Sequence, residues 1–159
     1  MIRSITLALS VAFLSCSDIG LSVPPVISVD DLLAVPDTVV VEGRALTLSC
    51  ELWRDFMPLS PPDGKPLIAI ASIATVDSVQ LPASITSDAV WIVFGSHVWN
   101  RYFTDEVPPG QRPNRLQKVA RNGPKWGPGV YVDVVVRLFD GNGTPHLLRA
   151  SRQWIGRTD

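Results

Sequence analysis

The run VYVDVVVRL, Val130 to Leu138, constrains the chain more than any other stretch. Val130, Val132, Val134, Val136 and Leu138 recur at every second position. Successive side chains of a strand point to opposite faces, so this period places five apolar groups on one buried face and turns Tyr131 to the other. The β-branched valines are poor helix formers and fit a pleated surface. Asp140 to Gly143, DGNG, then offers Gly and Asn residues that tolerate positive φ, and TPHLLRASRQWI, Thr144 to Ile155, returns. The three pieces predict a β-hairpin.

Other segments share the β habit. DTVVVE, Asp37 to Glu42, is short and β-branched and ends at Gly43. RALTLSCELW, Arg44 to Trp53, alternates, with Leu46, Leu48, Cys50 and Leu52 inward and Leu52 the last regular inward residue. PLIAIASIATV, Pro66 to Val76, is apolar on both faces, as a covered central strand is. AVWIVF, Ala89 to Phe94, and HVWNRYF, His97 to Phe103, complete the strand signals upstream of the hairpin, and Val26 to Val29 is a candidate edge strand. Thr104 to Pro128 is irregular, with a helix of two turns predicted over Asn114 to Arg121. The 14 prolines and 11 glycines fall between the apolar runs, which is the punctuation of an all-β chain. With 159 residues, 46% hydrophobic and 18% charged, the composition is that of one globular domain with a core. The net charge of −1 argues against nucleic acid as a partner.

The N-terminus reads differently. MIRSITLALSVAFL has a positive Arg3 and then an apolar stretch, Ile5 to Leu14, too short to span a bilayer. Phe13-Leu14-Ser15-Cys16 resembles a bacterial lipobox, which implies cleavage before Cys16 and acylation of that residue. On this reading residues 1–15 are a lipoprotein signal peptide, 16–36 a flexible tether and 37–159 the folded domain. A plain secretory signal cut near Ser15 or Ser17 is the alternative. If Cys16 is acylated, Cys50 is a lone thiol held in the core; if not, a Cys16–Cys50 disulfide competes. By the sorting habit of lipoproteins, Ser17 after the cysteine carries no inner-membrane retention signal and leans toward the outer membrane of a bacterial envelope.

WGPGVYVDVVVRLFDGNG is similar to the penultimate strand and final hairpin of immunoglobulin-like and fibronectin-like domains, and VEGRALTLSC resembles their second strand. These resemblances imply a β-sandwich of about seven strands. Together with the lipobox, WRDFMP, PPDGKPL and RNGPKWGPG, the pattern resembles small bacterial lipoproteins carrying such a domain. That resemblance implies a location and a fold but no activity.

Chemistry-bearing constellations are sparse. His97, His146, Cys50 and Met57 do not stand at metal-ligand spacing, and there is no CxxC or HExxH, so no metal or other cofactor is predicted. There is no G-x-S-x-G or S-x-x-K, and the acid pairs Asp30-Asp31 and Asp105-Glu106 read as solvated. The expected role is therefore a non-enzymatic binding or scaffolding domain. The alternatives are a carbohydrate-binding module using exposed tryptophan and, less favoured, a small envelope hydrolase built on His97 or His146. The candidate binding surface has two parts. Arg112, Arg115, Lys118, Arg121 and Lys125 put five cations in fourteen residues, a candidate contact for anionic lipid or an acidic envelope protein. Trp53, Trp99 and Trp126, with Arg54 and Asp55 beside the first, are candidates for stacking on a glycan. WRDFMPLSPPDGKPL otherwise reads as the connection between two core strands, its prolines barring a central strand, with Phe56 and Met57 plugging the end of the domain.

Overall fold

The computed structural model describes residues 23–110 and 112–159; the signal segment and Cys16 lie outside them. The architecture is nearly all β. Eight strands run β1 (Thr38–Val41), β2 (Arg44–Asp55), β3 (Leu67–Thr75), β4 (Thr86–Phe94), β5 (His97–Tyr102), β6 (Arg115–Gly123), β7 (Tyr131–Phe139) and β8 (Pro145–Thr158), preceded by one short helix, α1 (Val29–Ala34). Seven of them follow one hydrogen-bonded path, β5-β4-β7-β8-β2-β3-β6, while β1 pairs with β2 off that path. The sheet curls. Backbone pairing of Thr104 with Val119 draws the chain after β5 onto β6, so the two ends of the path meet.

The core lies inside the curl. Leu46, Leu48, Leu52, Leu67 and Ile73 from one half face Val90, Ile92, Val132, Val134, Val136, Leu138 and Leu148 from the other. The alternation of β2 and β7 predicted these inward rows, and the register realises them. β7 pairs antiparallel with both β4 and β8, so its valines sit in the middle of the sheet. The hairpin turn is held by Asp140, whose Oδ1 accepts from the backbone N–H of Asn142 and of Thr144, each at 2.9 Å. Gly143 adopts φ 78°, the left-handed conformation that glycine tolerates without a Cβ clash.

β8 is the longest strand at 14 residues, and it serves both halves. Its first part pairs antiparallel with β7; Ile155 to Thr158 then pair parallel with Leu52 to Asp55 of β2. Within the β7 pairing, between Val134↔Ala150 and Val132↔Gln153, the register slips by a residue, and Arg152 sits at φ 51°. That is a β-bulge, which adds a residue to one strand and bends it.

Two expectations are corrected. Asn114 to Arg121 is not a helix but most of β6, antiparallel to β3 through Ala74↔Arg115 to Ala69↔Ala120. Helix propensity is a weak prior that tertiary pairing overrides. The helical pattern arose because β6 has apolar residues on both rows: Ala120 enters the core, while Val119, on the opposite row, is buried where Thr104 pairs with it.

The second correction concerns residues 24–36, read as tether and edge strand. This segment packs across the outer face of β4, β5, β7 and β8. The Trp91 indole N–H donates to Pro25 O at 3.0 Å and Asn100 donates to Pro24 O at 2.8 Å. Ser28 caps α1 by accepting from Asp31 N–H, with Asp30 and Asp31 in the favourable first turn. Leu32, fully buried, enters a second apolar cluster with Ala89, Trp91, Val93, Val135 and Val35. At the far end the Arg149 backbone N–H donates to Pro36 O. The sequence signal was hidden because Leu32 and Val35 are two anchors in a proline-rich stretch, too few to show a period. Leu32→Ala is expected to lower unfolding free energy by about 3 kcal/mol, as truncation of a buried Leu does. Chemical denaturation measures it; an unchanged midpoint would mean that the segment adds nothing to the fold.

Candidate functional site

The stretch from Trp53 to Lys65 was the first candidate, and Arg54 decides what it is. Arg54 continues the inward row of β2 beyond Leu52 and is only 3% exposed. Its guanidinium has five N–H donors in a rigid fork. Nε donates to Lys65 O and Nη1 to Lys125 O, both at 3.0 Å; Nη1 also reaches Gly127 O and Nη2 reaches Asp63 O. One side chain thus ties the β2–β3 connection to the β6–β7 connection through four carbonyl oxygens. Two guanidiniums pack on the Phe56 ring, Arg54 at 5.1 Å and Arg157 at 4.3 Å from its centroid. It also covers buried Gly64 so closely that a Cβ there would come within 2.5 Å of the ring. Phe56 is the plug the sequence predicted; Met57 is not, being 48% exposed. Arg54 is therefore internal framework and not part of a contact surface. Asp55 turns outward and pairs with Lys65 at 2.6 Å, and Trp53 is half-buried beside Ile68 in the register.

The other tryptophans do not share an exposed face. Trp99 and Trp126 both pack against the main core, and the Trp126 ring meets Phe94 at 5.5 Å. The five cations are scattered too. Arg121 makes a two-pronged pair with Glu106 at 2.6 Å, and Lys125 pairs with Asp63 at 2.6 Å. Lys118 is half-buried opposite Ala71, and Arg112 and Arg115 line a hollow of about 230 Å³ with Leu81, Pro82 and Ile85. The acid partners come from other loops, which a local scan of the sequence does not reach. Cys50 packs against the core, and burial pushes its thiol pKa up, leaving it protonated and unreactive. His146, at the start of β8, lies 3.5 Å from Asp140 of the β7–β8 turn, and His97 is exposed at the start of β5. No helix among the described residues is long and apolar enough to cross a membrane.

One surface cluster escaped the sequence reading. Tyr131 and Trp154 are directly opposed in the β7–β8 register, with ring centroids 4.9 Å apart and planes tilted by 60°. They are 53% and 50% exposed, and every other Phe, Tyr or Trp among the described residues is more buried. The Arg152 guanidinium sits 5.0 Å from the Tyr131 ring centroid. Trp154 lies against Gly129, where even an added Cβ would meet the ring only at 3.8 Å. Alternation had turned Tyr131 outward. Trp154 could not be placed beside it, because the bulge at Arg152 shifts the parity of everything after it. The result is an aromatic pair with a cation, held on two paired strands.

Compared with family models, curated proteins and solved structures, the chain matches none.

Two predictions follow from the polar framework. Arg54→Leu leaves four carbonyls facing an apolar side chain, and unpaired buried acceptors cost about 1–3 kcal/mol each, so a loss of about 3 kcal/mol or more is expected in chemical denaturation. A loss near zero would show that water replaces the guanidinium. The second concerns acid. Lys65 beside Asp55, Lys125 beside Asp63, Arg121 beside Glu106 and the backbone N–H of Thr144 at Asp140 all hold those carboxylates below their ordinary range. A carboxylate with a depressed folded pKa stabilises fully above its unfolded value, about 4, and loses that contribution as pH falls through the folded value. The thermal midpoint should be flat above about pH 5 and fall steadily below about pH 4. A midpoint that rises on acidification would contradict the assignment.

Proposed function

We propose that the chain is a lipid-anchored protein of a bacterial envelope, held by an acyl group on Cys16, whose β domain is a non-enzymatic binding or scaffolding module. The observation that carries the binding role is the Tyr131–Trp154 pair. Large apolar side chains kept open to solvent on a rigid strand pair incur a hydration cost that contact with a partner removes. Tyr and Trp also combine a broad apolar body with a polar tip, which suits an interface that is wet on one side. The carbohydrate reading moves with this observation from Trp53, Trp99 and Trp126 to Trp154, since stacking needs an open ring face.

The domain itself reads best as an immunoglobulin-like sandwich. In support, β5-β4-β7-β8 and β2-β3-β6 group as four strands and three, with crossovers from β3 to β4, from β5 to β6 and from β6 to β7. In this reading β2 takes the first position of the fold, because it pairs with β3 and runs parallel to β8. The anchor rests on Phe13-Leu14-Ser15-Cys16.

Metabolic labelling with a palmitate analogue tests the anchor. Label is expected on the wild type, which should fractionate with membranes, and on no band of Cys16→Ser. An unlabelled wild type recovered in the soluble envelope fraction would replace the anchor with an ordinary secretory signal. Cys50 should stay unreactive toward an exposed-thiol reagent in either protein.

A further inference from the structure

We infer that the outer face of the β5-β4-β7-β8 group rests on the bilayer interface, with Tyr131 and Trp154 seated among lipid headgroups. The inference depends on the lipid anchor at Cys16. Five large apolar residues stay exposed on this one side: Val23 at 48%, Val26 at 95%, Leu33 at 37%, Tyr131 at 53% and Trp154 at 50%. The first three belong to the segment docked there by Trp91 and Asn100, and the last two flank it on the strands beneath. Tyr131 shares its row with Val135, whose side chain lies under α1, so the pair and the docked segment project the same way. The remaining exposed large apolar residues among those described are spread over β1 and the loops.

Six residues lie between Cys16 and Val23, which makes seven Cα–Cα steps. Fully extended, they reach at most about 25 Å. An acylated Cys16 lies in the membrane surface, so the face on which Val23 emerges is held near that surface. Tyr and Trp favour the headgroup level, where an amphipathic ring keeps its polar edge wet. Arg152, beside Tyr131, places a cation where phosphate oxygens lie. The face carries acids as well, Asp30, Asp31 and Asp133, so net charge does not draw it to anionic lipid. Seating by apolar and aromatic groups on zwitterionic headgroups is what this mixture supports, with little dependence on salt.

Depth-dependent fluorescence quenching tests this. The full acylated chain is reconstituted into phosphatidylcholine vesicles containing lipid brominated near the top of the acyl chains, and flotation confirms attachment. Tryptophan emission is expected to be quenched, and the quenching to be lost in Trp154→Phe, a change that keeps an aromatic at a half-exposed site. Added salt should leave the quenching in place. A chain that floats with the vesicles but is not quenched, or is quenched equally in Trp154→Phe, overturns the inference and leaves the anchor standing. A chain that does not float overturns the anchor, and the inference with it. Quenching or a spectral shift of Trp154 by soluble peptidoglycan fragments, with none by brominated lipid, would assign the pair to a glycan.

Discussion

The fold depends on one strand doing two jobs. β8 completes the hairpin with β7 and then, past the bulge at Arg152, lies parallel to the end of β2. A strand can pair antiparallel on one edge and parallel on the other without turning; here an extra residue with positive φ adds a local bend where β8 passes from one half of the curl to the other. Without the β8–β2 ladder the two halves of the sheet would share no hydrogen bonds along the path, and the Thr104–Val119 pairing and side-chain packing would have to hold the curl. Arg152 is a non-glycine residue in a conformation that costs an ordinary side chain about 1 kcal/mol or more. The parallel ladder and the burial of Ile155 in the main core offset that cost. The same bend carries Trp154 outward to meet Tyr131, so the surface cluster is a by-product of how the sheet joins.

Where β2 and β8 run together, the loops at that end have few apolar anchors of their own. The β2–β3 connection holds four of the chain's prolines and turns at Asp63-Gly64. Its order comes from Arg54, which replaces water at carbonyls of two connections at once. An Arg suits this place better than a Lys, because its planar fork meets several acceptors with one fixed geometry. Phe56 packs on the guanidinium, and Arg157 of β8 also packs on the ring. The buried charge, the aromatic plug and the junction between the halves form one unit.

The division between what the sequence shows and what it hides follows from interaction range. The inward rows of β2 and β7 and the turn at Asp140 are legible because a strand's period and a turn's chemistry are local. β6 is not, because its pairing with β3 and its cover by Thr104 come from far along the chain, while Asn114 to Arg121 taken alone has residues that suit a helix. Arg54 reads as surface by residue type and as core by parity, and parity proves the better guide. Trp154 is the reverse: the period of Leu148 and Ala150 would place it inward, and the bulge turns it outward. The cations at 121 and 125 looked unpaired because Glu106 and Asp63 belong to other loops.

The docked segment 24–36 changes what anchoring means for this domain. A flexible tether of 21 residues, 16–36, would let the domain sample every orientation over a wide radius. With residues 24–36 fixed on β4, β5 and β8, the proposed anchor at Cys16 would be joined to the domain by residues 17–23 alone. A short link at a fixed point raises the effective concentration of the adjoining face at the surface, so weak contacts there suffice to set orientation. Exposed groups such as Val26 and Trp154 would gain little from a bilayer in free solution. Next to an anchor they need only outweigh rotation of an already tethered body. On the proposed anchor, the same geometry would leave the outer face of β2 and β3, with Ser49, Glu51 and Thr47, directed away from the membrane. On the proposed reading, that polar face is the one presented to other envelope components.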